Sequence, residues 1–180
     1  MISPLMAAEP ILLIDAKSNT DNSHLESAMQ VAEMEFADGN FGSTSFLCEY
    51  LEKNKIDDPK YKLMWAASQS RIGNWNKAEQ LYLAVAKHKK ATKQQKSLAY
   101  VYLSKQQTDA KTKEAYADMA TTFAKDSLVT EMVSEIYRGL MVDALTRSDV
   151  KKAEYYKQKY SEFMKTSAKE KKDETKVGNF

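Results

Sequence analysis

The chain has 180 residues, 43% of them apolar, and 27 basic against 25 acidic side chains leave a net charge of +2. That is enough material for one domain with its own core, and the balanced charge argues against a broad basic nucleic-acid surface and against an acidic disordered chain. Glycine and proline are scarce while Ala, Leu, Lys, Glu, Gln and Met abound, so an all-α fold is expected, and no apolar run of about 18 residues is present to span a bilayer.

Residues 1–22 read as a leader. "MISPLMAAEP" passes from apolar residues to the small Ala7 and Ala8 and then turns polar, like the end of a secretory signal peptide without its basic start. A plain disordered leader is the alternative. "ILLID", 11–15, would pack as a loose extended arm. Ser23 and Glu26 have capping-box spacing, and Leu25, Ala28, Met29, Ala32 and Phe36 then recur at a helical period. Gly39-Asn40 ends that helix, because both residues tolerate the left-handed conformation of a C-terminal cap.

A second helix is expected over 43–54, with Phe46, Leu47, Tyr50 and Leu51 inward. Asp58-Pro59 opens a third over 59–71: the carboxylate caps, and proline suits the first position because its missing N–H had no partner. Gly73-Asn74 stops it. The fourth, 75–88, places Trp75, Ala78, Leu81, Tyr82 and Val85 on one stripe. Thr92 and Gln95 start a fifth over 93–105, and a sixth lies near 110–124. Ser127 and Glu131 open a seventh over 128–146. The eighth, 149–168, buries Val150, Ala153, Tyr156, Tyr160 and Phe163. "KEKKDETKVGNF", 169–180, has no apolar period and reads as a charged flexible tail.

Gly39 and Gly73 stand 34 residues apart. "ADGNFGSTSFLCEYL" and "RIGNWNKAEQLYLAV" each read helix end, Gly-Asn-aromatic, helix start, and Ser148-Asp149-Val150 repeats the pattern weakly. This resembles the tetratricopeptide (TPR) repeat, whose period is also 34. Trp65 and Ala66 take the family's Leu-Gly places in the second unit, and Ala78, Tyr82 and Val85 fill those of its second helix. Val31, Ala32, Thr44, Cys48 and Leu51 are the first unit's counterparts. A third unit keeps Leu98, Ala99 and Tyr102; a fourth keeps Leu140, Ala153 and Tyr160, with Met141 where a small residue belongs. The family's first tryptophan and its closing proline are missing. The resemblance covers about 24–165 within a domain of 23–168, and it implies a right-handed superhelix of about four antiparallel helical hairpins, a TPR-like α-solenoid. Ala66 and Ala78 would allow close helix crossing, and Trp75 with Tyr82 would fill the wedge between hairpins.

Nothing in the sequence converges on catalysis. His24 and His88 read as surface residues and Cys48 as a small buried hydrophobe. Two isolated histidines and one cysteine give no metal spacing, and no phosphate loop, G-x-S-x-G or H-E-x-x-H occurs. Glu33 and Glu35 point to different faces of one helix. The basic run at 86–96 reads as a solvated loop. A non-enzymatic protein without metal or cofactor is therefore expected, with no nucleic-acid partner.

The resemblance places a partner groove on the first helix of each pair. Its positions map to Met29, Glu33, Phe36 and Ala37, to Leu63, Ala67, Ser70 and Arg71, and to Lys96, Tyr100, Leu103 and Ser104. Such a groove would hold an extended or helical peptide by apolar anchors with a carboxylate nearby. Met29 and Glu33 occupy two places of the Lys/Asn set that grips chaperone tails, so those tails are disfavoured. The expected function is a protein–protein adaptor, with the signal-like start favouring envelope or secretion-system assembly in a bacterial periplasm. The alternatives are a cytoplasmic chaperone resembling those of type III secretion translocators, and a structural module that self-associates as a homodimer.

Overall fold

The computed structural model describes residues 22–124 and 126–177, with side chains at 23–124 and 126–165. The expected leader, Asn22 apart, and its 11–15 arm lie outside the described residues. The described chain is all-α: α1 (Asn22–Ala37), α2 (Phe41–Lys53), α3 (Pro59–Arg71), α4 (Trp75–Lys87), α5 (Lys93–Gln106), α6 (Ala110–Phe123), α7 (Ser127–Thr146) and α8 (Val150–Val177). Each helix packs on the next in sequence, as short connections require. The odd-numbered helices also touch one another, α1 with α3, α3 with α5 and α5 with α7, whereas among the described residues the even-numbered ones do not. The odd helices thus form one layer and the even helices the other.

The helix starts have identifiable caps. Asp58 Oδ1 accepts from Lys60 N at 2.7 Å, with Pro59 at the first position. Thr92 and Gln95 form the full capping box, at 3.1 Å and 2.9 Å. Asp126, not Ser127, caps α7 through Val129 N at 3.0 Å. The expected box at Ser23 and Glu26 is absent because α1 already begins at Asn22; Ser23 lies inside the helix, and its carbonyl accepts from Ser27 Oγ.

Three turns share one geometry. Gly39, Gly73 and Ser148 adopt φ of +79°, +85° and +60°. In each turn the following residue donates back to the carbonyl five positions earlier: Asn40 to Glu35 at 2.8 Å, Asn74 to Gln69 at 2.8 Å and Asp149 to Ala144 at 2.9 Å. The carbonyl of that donor then accepts from the first turn of the next helix, at Thr44, Ala78 and Ala153. This is a Schellman cap running straight into a helix start. Glycine reaches the left-handed region without a Cβ penalty, and serine does not. Ser148→Gly is therefore expected to raise stability by about 0.5–1 kcal/mol, read as a higher urea midpoint with an unchanged slope.

Two cores follow one another along the chain and meet at α5. Ala32, Cys48, Leu51, Tyr61, Trp65, Ala66, Ala78, Tyr82 and Leu103 belong to the first. Val101, Ala117, Val133, Tyr137, Leu140 and Tyr156 belong to the second. Ala66 and Ala78 are fully buried, as crossing residues should be. Several expected core positions are not in it: Phe46 is 68%, Trp75 57% and Val150 70% exposed. On α2 the buried stripe is Thr44, Ser45, Cys48 and Leu51, which turns Phe46 outward. Trp75 and Val150 are first residues of their helices. A helical side chain leans toward the N-terminus, and at that position no preceding turn lies beneath it. The eighth helix runs past its expected end at 168, to Val177; no glycine or proline interrupts the chain before Gly178.

Candidate functional site: a cleft on the odd-helix layer

Where α1, α3 and α5 lie side by side they enclose a cleft of ≈ 380 Å³, lined by Glu33 and Phe36, by Lys60, Leu63, Met64 and Ala67, and by Gln95, Leu98 and Tyr102. A second cleft of ≈ 520 Å³ shares Phe36, Ala67 and Tyr102 with it. That cleft continues to Phe41, Ser70, Arg71, Trp75, Tyr82, Lys105 and Gln106. Three shared residues make the two clefts one trough, which begins on the odd layer and extends to Phe41 of α2 and to Trp75 and Tyr82 of α4. Its floor is stiff: Tyr82 and Tyr102 stack at 5.3 Å between centroids, and Gln106 Nε2 donates to Ser70 Oγ at 2.5 Å, tying α5 to α3.

The two ends differ in charge. At one, Glu33 Oε1 receives Lys60 Nζ at 2.6 Å and the Tyr61 hydroxyl at 2.8 Å. These hydrogen bonds, Lys60's first, hold the Glu33 carboxyl below its usual range. At the other end the Arg71 guanidinium sits 5.7 Å over the Phe41 ring and Lys105 is exposed. Among the described residues neither cation has an ion-pair partner.

The structure places the predicted groove residues in two groups. Glu33, Phe36, Leu63, Ala67, Ser70 and Arg71 line the trough. Met29 is half-buried against the first core, and Ala37 is exposed at the end of α1. Lys96, Tyr100, Leu103 and Ser104 lie outside it. Leu103 is completely buried, and Ser104 Oγ, equally buried, donates to Lys113 O of α6 at 2.7 Å. Tyr100 stacks on Phe123 at 5.6 Å, with Lys96 Nζ 5.9 Å over that same ring. Lys96, Tyr100 and Ser104 thus serve the α5–α6 contact, while Leu103 enters the first core. The missed lining residues of α5 are Gln95, Leu98, Tyr102, Lys105 and Gln106. Leu98, Tyr102 and Lys105 follow i, i+4, i+7 spacing, which places them on one face.

His88 is less free than its sequence context implies. Its Nε2 lies 3.0 Å from Asp57 Oδ1, and its Nδ1 accepts from Lys90 N at 3.1 Å. Lys62 and His88 beside Asp57 hold that carboxyl down at about 2. The cluster ties the end of α4 to the α2–α3 loop. Cys48 is buried, which pushes its thiol up to about 12. Among the described residues no three His, Cys, Asp or Glu side chains gather as a metal would need.

No protein-family profile, curated protein or solved structure matches this chain. Among the described residues no helix is long and apolar enough to cross a membrane. The trough is concave and largely apolar, with a few charged groups at its ends, features common to ligand-binding clefts.

Proposed function

We propose that the protein is a TPR-like helical-repeat adaptor that binds a segment of another protein along the α1/α3/α5 trough. The continuity of that trough through Phe36, Ala67 and Tyr102 carries the reading. Two observations support it. The Gly39, Gly73 and Ser148 turns repeat one hydrogen-bond pattern, and contacts along the odd layer without contacts along the even layer suit a solenoid curved toward the odd helices. A trough of this kind accepts an extended or helical peptide whose apolar side chains act as anchors.

Ala67 is the place to test it, because its side chain lines both clefts. Ala67→Trp would put an indole in the middle of the trough. Peptides selected on the wild-type protein from a random twelve-residue display library are expected to bind this variant about tenfold or more weakly, since the anchors lose their pocket. The far-UV circular dichroism spectrum should be retained. Equal affinity for wild type and A67W would overturn the proposal.

A further inference from the structure

We infer that the trough is polarised and takes an acidic peptide, with an apolar side chain in the Leu63–Leu98 cleft and a carboxylate at Arg71 and Lys105. The inference rests on the groove reading above and adds the chemistry and direction of the occupant.

At the Lys60 end the trough is already neutral, because Glu33 receives both Lys60 and Tyr61. A charged ligand group gains little there. At the other end Arg71 and Lys105 line the same cleft and have no carboxylate partner among the described residues. Arg71 packs over Phe41, a cation–π contact that holds the guanidinium near the rim. An arginine fork presented this way matches a carboxylate through two parallel N–H donors. Beside it Trp75 is 57% exposed, an amphipathic ring of the kind that carries binding energy at interfaces. An acidic residue next to an aromatic or aliphatic one would engage all three groups.

A phosphate chain is the other anion that two cations could attract. The trough favours the peptide, because Leu63, Met64, Ala67 and Leu98 fill the stretch between its ends. A nucleic-acid track would need further cations along that stretch.

The test uses the full chain and the same display library, with the selected peptides titrated by fluorescence anisotropy. Acidic residues are expected to be enriched at one position relative to an apolar anchor. Arg71→Ala/Lys105→Ala should weaken these peptides about tenfold or more, with the loss shrinking at high salt. Replacing the peptide's acidic residue by its amide should cost wild type a similar factor and the double variant almost nothing. Both side chains are exposed, so the variant's thermal melt should match wild type. Selected peptides that depend on Ala67 but lack an acidic position, or that ignore R71A/K105A, would overturn this inference and leave the groove reading standing. Peptides indifferent to A67W would overturn both. Binding of a dT12 oligonucleotide through Arg71 and Lys105, with no acidic peptide selected, would also overturn it.

Discussion

Trp65→Ala is expected to cost about 3–5 kcal/mol of stability, while Trp75→Ala should change it by less than about 0.5 kcal/mol. The two tryptophans flank the same turn but differ in burial: Trp65 is 3% exposed and Trp75 57%. Trp65 sits among Cys48, Leu51, Tyr61 and Ala66 in the first core, and its indole N–H donates to Ser45 Oγ at 3.1 Å. Lys77 Nζ covers the ring from 4.4 Å. Alanine would remove a large apolar group and leave a void that neighbours on three helices fill only partly. Gln69 Nε2 also donates to Ser45 Oγ, so the serine keeps one partner. Urea unfolding followed by circular dichroism measures the loss. In an array held by nearest-neighbour contacts the damage should be uneven. Hydrogen exchange is expected to quicken most in α2–α4 and least in α7–α8. A loss below about 1 kcal/mol would show that Trp65 is not the buried anchor described above.

The turns were legible because their determinants are local. A glycine that must adopt positive φ, an aspartate before Pro59 and a Thr-x-x-Gln box each act within a few residues, and the helices begin and end where those signals stand. Azimuth was a different matter. Residues 98–103 of α5 read Leu-Ala-Tyr-Val-Tyr-Leu, apolar all round, because this helix serves two cores: Ala99 and Leu103 enter the first and Val101 the second. Without a polar face, periodicity cannot say which side meets the trough. The family's spacing points to Lys96, Tyr100, Leu103 and Ser104, one residue or two away from the cleft-lining residues Gln95, Leu98, Tyr102, Lys105 and Gln106. Helices α1 and α3 are more readable. Glu33 and Arg71 are polar markers on the same faces as Phe36 and Ala67, and all four line the clefts. Phe46 and Trp75 failed for the converse reason. Aromatic character signals burial only where another element lies over the residue, and that is settled by packing rather than by the local sequence.

The second large effect is alkaline unfolding. Four buried tyrosines, Tyr61, Tyr82, Tyr137 and Tyr156, hold their protons above the ordinary phenol range. Burial is the first cause in each. Carboxylates reinforce it at three: Glu33 accepts from Tyr61, Asp118 from Tyr137 at 2.6 Å and Glu114 from Tyr156 at 3.2 Å. At Tyr82 a hydrogen bond from Ser70 works the other way. Tyr156 is pushed up to about 12. An unfolded tyrosine ionises near pH 10, so the folded state binds more protons above that pH. The stabilisation is complete below pH 10 and is lost as pH rises toward the folded values. Each of the four removes about 1.4 kcal/mol per pH unit while it stays neutral in the folded state and ionised in the unfolded one. Cys48 adds to the slope with the same sign, because burial raises its thiol to about 12. Urea midpoints should therefore be flat with respect to the tyrosines up to about pH 9, with an earlier and smaller decline from Cys48, whose unfolded thiol ionises at about pH 8.5, and fall steeply beyond pH 10. Lysines also titrate there, so Tyr137→Phe supplies the control. Its stability is lower at neutral pH, because Asp118 loses the phenol's hydrogen bond, but its decline above pH 10 should be shallower than wild type by about 1.4 kcal/mol per unit. Parallel curves for the two proteins would mean that Tyr137 ionises as freely in the folded state as in the unfolded one. The phenol's burial and its bond to Asp118 would then hold no proton, and the α6–α7 contact would rest on packing alone.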